Sequence, residues 1–184
     1  MIKAKFSDEM INILKSMIGN ILYSYECGNT IQNEAYGNLQ LNLKDFSIEI
    51  LNEVNEFPFY NSSEEISCFS CKKKSSSETY KTYKTYCEEP IEKYVINEKI
   101  TSVALVEDNV NVNNGEYEIC FDMAIIIKTE KHKYIFSRGW FFGEVIYITV
   151  DSEFDKVYPI SKVVEDWSDD GENKVNVVRT VRKL

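Results

Sequence analysis

The sequence predicts an α+β fold: a mainly antiparallel sheet of about eight short strands with one N-terminal amphipathic helix packed on it. Three observations carry this. Apolar residues recur at helical spacing only near the start, they alternate at strand spacing from there on, and no strand-helix-strand crossover interrupts the run. The clearest stretch is Tyr117 to Val150, which reads as three consecutive antiparallel strands with Ser137-Arg138-Gly139 set among aromatic residues.

The helix comes first. Ser7 can cap it, Asp8 and Glu9 suit its first turn, and Met10, Ile11, Ile13, Leu14, Met17 and Ile18 form an apolar face that ends at Gly19. Ile21, Tyr23, Tyr25 and Cys27 then share one face of a strand that stops at Gly28-Asn29. Leu39, Leu41 and Leu43 alternate with Asn38, Gln40 and Asn42, the pattern of a strand with one buried and one wet face. A turn at Asp45 leads into Phe46 to Asn52, and the Phe57 to Asn61 segment reads as a loop. Glu65 to Lys72 is another strand, followed by a flexible Lys/Ser/Tyr-rich arm at 72–89 that Pro90 ends. Thr101 to Glu107 is a strand, and Asn109 to Gly115 an Asn-rich connection. Beyond Val150, Ile160 to Trp167 suits a short helix, Asp169-Asp170-Gly171 a turn and Lys174 to Leu184 a last strand. A chain of 184 residues without a repeat is read as one domain, 1–184, large enough to stand on its own core.

Composition narrows the function. A formal net charge of −9 disfavours general affinity for nucleic acid or an anionic membrane, and no apolar stretch has the length of a membrane span or a signal peptide. The expected location is the cytoplasm, and the Ile, Asn and Lys usage suggests a bacterial or phage genome. Five cysteines in irregular positions fit reduced thiols. Cys68 and Cys71 have C-x-x-C spacing, but on a strand they face opposite ways and no second pair accompanies them. The single histidine, His132, lies in a charged hairpin turn, so a histidine triad or histidine metal cluster is set aside. No cofactor or metal is implied. Glu172-Asn173-Lys174 with Asp155 upstream resembles a metal-dependent nuclease trio only in spacing, and a solvated acidic rim is the better account.

Two charge features and one arginine remain. The acidic rim, Asp151, Asp155, Glu165, Asp166, Asp169 and Asp170, is expected to bind a protein partner with a basic surface, as inhibitors and immunity-type proteins cover cationic grooves. This makes the chain a non-enzymatic acidic binding module. The alternative is an enzyme or ligand-binding protein for a phosphate-bearing molecule or nucleic acid. It would use Arg138 with Lys72, Lys73, Lys74, Tyr80, Lys81, Tyr83 and Lys84, where lysines meet phosphates and tyrosines stack on bases. Arg138 has a structural account as well, a cross-strand pair with Asp122. Oligomeric state is not legible.

Overall fold

The computed structural model describes residues 1–29, 34–59, 62–75, 78–81, 91–139, 143–168 and 171–184. Among these are ten strands and three helices: β1 (Ile2–Ala4), α1 (Asp8–Lys15), β2 (Ile21–Asn29), β3 (Glu34–Leu43), β4 (Phe46–Phe59), β5 (Ser62–Ser75), β6 (Ile91–Val112), β7 (Tyr117–Thr129), β8 (Lys133–Arg138), β9 (Val145–Val150), α2 (Phe154–Val157), α3 (Ile160–Trp167) and β10 (Val175–Lys183). The sheet is mixed and mostly antiparallel. Its strands outnumber the eight expected, a strand precedes α1, and two further short helices lie toward the C-terminal end. β1 pairs in parallel with β7. None of the helices is long and apolar enough to cross a membrane.

The pairings β2–β3, β3–β9, β9–β8, β8–β7, β7–β6 and β6–β2 return to their starting strand and close a six-stranded ring. A closed ring satisfies the backbone groups that an open sheet leaves at its edges. Its main core draws on every ring strand, with Leu22, Leu41, Val103, Ile125, Phe136 and Ile146 buried together. Ser7 caps α1 as its sequence predicts, its hydroxyl accepting from the Met10 N–H, and Ile11, Leu14 and Met17 join the same core.

Three strands run longer than the sequence suggests. β4 and β5 form a hairpin of 14 residues a side, so Phe57 to Phe59 is strand instead of loop. β5 continues through Lys72 to Ser75, which removes the first part of the expected arm. β6 starts at Ile91, ten residues before the predicted Thr101, and its early half pairs with β2. Its other end meets β7 through Asn113, Asn114 and Gly115, all at positive φ, where asparagine and glycine are the tolerant residues. A second core gathers Ile2, Ile66, Val106, Val110, Phe121, Phe154 and Val163 from β1, the hairpin, β6, β7, α2 and α3.

One buried clasp ties that second core to the end of the chain. Arg179 of β10 reaches Asp108 of β6 in a two-point contact, Nε to Oδ1 at 2.7 Å and Nη2 to Oδ2 at 2.6 Å. Its Nη1 donates to Asp155 Oδ1 at 2.8 Å and to the Tyr158 carbonyl at 2.6 Å, and the guanidinium lies over the Phe154 ring. One side chain therefore fixes α2 against the sheet.

Candidate functional site

Arg138 ends β8 opposite Ile146 of β9 and is wholly inaccessible to solvent. Its guanidinium carbon lies 5.1 Å from the centre of the Phe121 ring. Burial lowers its pKa to about 10, so it stays protonated at neutral pH. The expected cross-strand pair with Asp122 is not formed. The β7–β8 register begins at Ala124 and Ser137, so Asp122 lies beyond its last rung, and its Oδ2 accepts the Phe6 N–H at 2.7 Å instead.

Beside Arg138 lies a cavity of about 650 Å³, within the size range of small-molecule sites. The rings of Tyr25, Tyr147 and Tyr158 line it with Ile148, Val150 and Val157; Ser137 and Thr149 add hydroxyls, and Arg138, Lys162 and Asp166 add charge. Gly139 shapes the wall, because a Cβ there would stand 2.5 Å from Cε2 of Tyr147. On the α3 side, Lys162 Nζ lies 2.8 Å from Asp166 Oδ1, and the Tyr158 hydroxyl donates to Asp166 Oδ2. Burial, then the Asp166 contact, hold the Tyr158 phenol above its ordinary pKa, while the Asp166 hydrogen bond raises that of Lys162. Among the described residues the lining thus holds two cations and one carboxylate, with Lys162 paired to that carboxylate.

The structure brings Arg138 and Asp166 to this one cavity, although the sequence put them in different sets. Among the described residues, the rest of the acidic rim also makes internal contacts while keeping largely exposed side chains. Asp151 accepts the Lys133 N–H at 2.9 Å and meets His132 Nδ1 at 2.7 Å, Asp155 is held by Arg179, and Glu165 lies 3.3 Å from Lys162. Asp166 is only 2% exposed and does not face solvent as a rim residue would. Asp169 and Asp170 lie outside the described residues. Glu172 is in a turn, while the Lys174 N–H donates to Asn113 Oδ1, tying down the chain there.

The basic set divides as well. Lys74 pairs with Glu49 at 2.8 Å, Lys73 sits 3.9 Å over the Phe46 ring, and Lys72 is exposed on β5. Tyr80 is 1% exposed, so its ring is not available to stack on a base. Its hydroxyl accepts from the Gly28 N–H and donates to Asn38, pinning residues 78–81 across β2 and β3. This overturns the wet face expected of β3: Asn38 and Gln40 are buried beneath that segment. Lys81 is exposed, while its carbonyl accepts from Asn38 Nδ2; Tyr83 and Lys84 lie outside the described residues. Cys71 belongs to the main core and its thiol is pushed up to about 12 by burial, whereas Cys68 packs against the second core.

Tyr158, Lys162, Tyr147 and Tyr25 are the cavity residues that the sequence does not announce. Gly139 is the one signal available, since a glycine at a strand end marks a close approach. Tyr25 reaches the cavity only through the tertiary fold. No protein-family model, curated protein or solved structure matches the chain.

Proposed function

We propose that the chain is a ligand-binding protein whose cavity takes a small anionic molecule with an apolar or aromatic body. One observation carries this: the cavity sets a buried arginine and a lysine beside three tyrosine rings in a protein whose formal net charge is −9. Rings and aliphatic side chains offer contact area, and the two cations favour a phosphate or carboxylate head that the overall field would otherwise repel. Calorimetric titration with nucleoside monophosphates and with aromatic carboxylates tests it. Saturable one-to-one binding is expected for at least one class, weakened about tenfold in Lys162→Gln, which removes one favourable charge. Silence across both classes, or unchanged affinity in a folded Lys162→Gln, would overturn the proposal.

A second reading, a binding module for a basic protein surface, is favoured by the β4–β5 hairpin. Its distal half carries Glu53, Glu56, Glu64 and Glu65 with no lysine or arginine between residues 51 and 71, and β5 pairs with β4 alone. This adds the hairpin to the acidic rim as a contact surface, since carboxylates complement a cationic groove as in inhibitors and immunity-type proteins. The test is salt-dependent capture of a basic partner. Reversing Glu53, Glu56 and Glu65 to lysine should abolish it, and capture that ignores those reversals removes the idea.

A further inference from the structure

β3 sends Leu39, Leu41 and Leu43 into the main core and places Asn38, Gln40 and Asn42 on its other face. Residues 78–81 cover part of that polar face. Next to them lies a second concavity of about 420 Å³, bordered by β2, β3, β6 and Glu78, with a mainly hydrogen-bonding lining. It is separate from the cavity at Arg138 and shares no lining residue with it.

Gln40 is the informative side chain. It is 2% exposed and lines this groove. Its Nε2 donates to Asn42 Oδ1 at 2.9 Å and to the Glu78 carbonyl at 3.4 Å. The Glu78 carbonyl can only accept, so it sets the Gln40 amide nitrogen on its side and the oxygen away from it. Its Oε1 is left without a hydrogen bond among the described residues. Most buried amide oxygens in folded proteins are hydrogen-bonded, and unlike the similarly unsatisfied Asn52 Oδ1 this one belongs to a side chain that lines a concavity, where a donor from outside the chain can approach.

The surroundings say what kind of donor. Asn42 Nδ2 donates to Ser24 Oγ at 3.0 Å, which leaves the Ser24 proton for a further acceptor. Of the two carboxylates, Glu26 is neutralised by Lys93 at 3.1 Å, while Glu78 Oε1 accepts the Ser75 N–H at 2.9 Å and keeps its charge. An anion would meet Glu78 as repulsion, and a cation would find that single carboxylate. Tyr23, 37% exposed, offers an apolar ring at the same groove. Groups that both donate and accept, little free charge and one open aromatic face match a molecule carrying several hydroxyls on an apolar ring.

We propose that this groove binds a neutral polyhydroxylated molecule, a saccharide or cyclic polyol, with one ligand hydroxyl donating to Gln40 Oε1. The experiment is amide-resolved NMR titration of the full chain with D-glucose, N-acetyl-D-glucosamine and myo-inositol, each followed to saturation. The expected result is saturable shifts confined to the Gln40 and Asn42 side-chain amides and residues around Tyr23 for at least one probe. Gln40→Met keeps the volume and removes the acceptor, and should weaken binding about tenfold. Tyr23→Ala, at an exposed position, should weaken it also and serves if Gln40→Met does not fold. The proposal is overturned by no saturable shift with any of the three, by shifts centred elsewhere, or by wild-type affinity in either folded variant.

Discussion

Asp122 is buried, with one carboxylate oxygen on the Phe6 N–H and the other without a hydrogen bond among the described residues. Burial, the largest cause, pushes its pKa up to about 6, against about 3.9 for an unfolded aspartate. The folded state therefore binds this proton more tightly than the unfolded state. The associated stability is full below about pH 4 and is lost as pH rises through about 6. Asp122→Asn keeps an acceptor for Phe6 and removes the charge, so it should flatten that part of the pH profile and gain roughly 2–3 kcal/mol at pH 7. Denaturant melts of both proteins at pH 4 and pH 7 check it, and parallel profiles would refute it. Arg179 makes the opposite case, since its loss strands Asp108, which is 0% exposed. Arg179→Ala should cost about 3–5 kcal/mol in the same assay, and Arg179→Lys should recover only part because an ammonium lacks the two-point fork. Residue roles were the least legible in the sequence. Arg138 stands out by its aromatic setting, but nothing local distinguishes Asp166, whose side chain is buried, from Asp155, which faces water.

Elements with strict alternation were readable, and those whose pattern is set by remote covering segments were not. β7, β8 and β9 appear where the apolar run from Tyr117 to Val150 places them. The early half of β6 escapes the sequence pattern because Ile91, Lys93 and Val95 form an exposed face, including Val95 at 70% exposure, that dilutes the strand signal. β3 is legible as a strand, yet its polar face is partly covered by a segment distant in sequence, a fact that no window around β3 contains. Tyr80 holds that cover. Tyr80→Phe keeps the ring but strands the Gly28 N–H and loses the bond to Asn38, so stability should fall by about 1–3 kcal/mol. Hydrogen exchange should show faster exchange at Gly28, and unchanged protection would mean that the hydroxyl does not fasten the segment. At β8–β9, Gly139→Ala would drive a methyl into Tyr147, costing about 1–3 kcal/mol and deforming the cavity at Arg138. Loss of ligand binding with retained far-ultraviolet circular dichroism is the expected signature.

At the scale of the molecule, composition spoke to charge and class but not to closure. Ring closure depends on β6 meeting both β2 and β7, and pairings of such long sequence separation leave no trace in local periodicity. Closure predicts cooperative unfolding, because removing any ring strand exposes the core that all six share. Circular dichroism and tyrosine fluorescence should therefore report coincident denaturant transitions, and separated midpoints would show that the hairpin or the second core melts on its own. The clasped second core has another consequence, for synthesis. β1 leaves the ribosome long before β7, the strand it must lie beside, and β10, which carries Arg179, emerges after both β6 and β7. The apolar face shared by β6 and β7 is thus complete as a polypeptide before its final brace arrives. A chain stalled short of Val175 would display Asp108 without its guanidinium and the edge of β6 from Ala104 to Val112 without its paired strand, a surface that chaperones and proteases recognise.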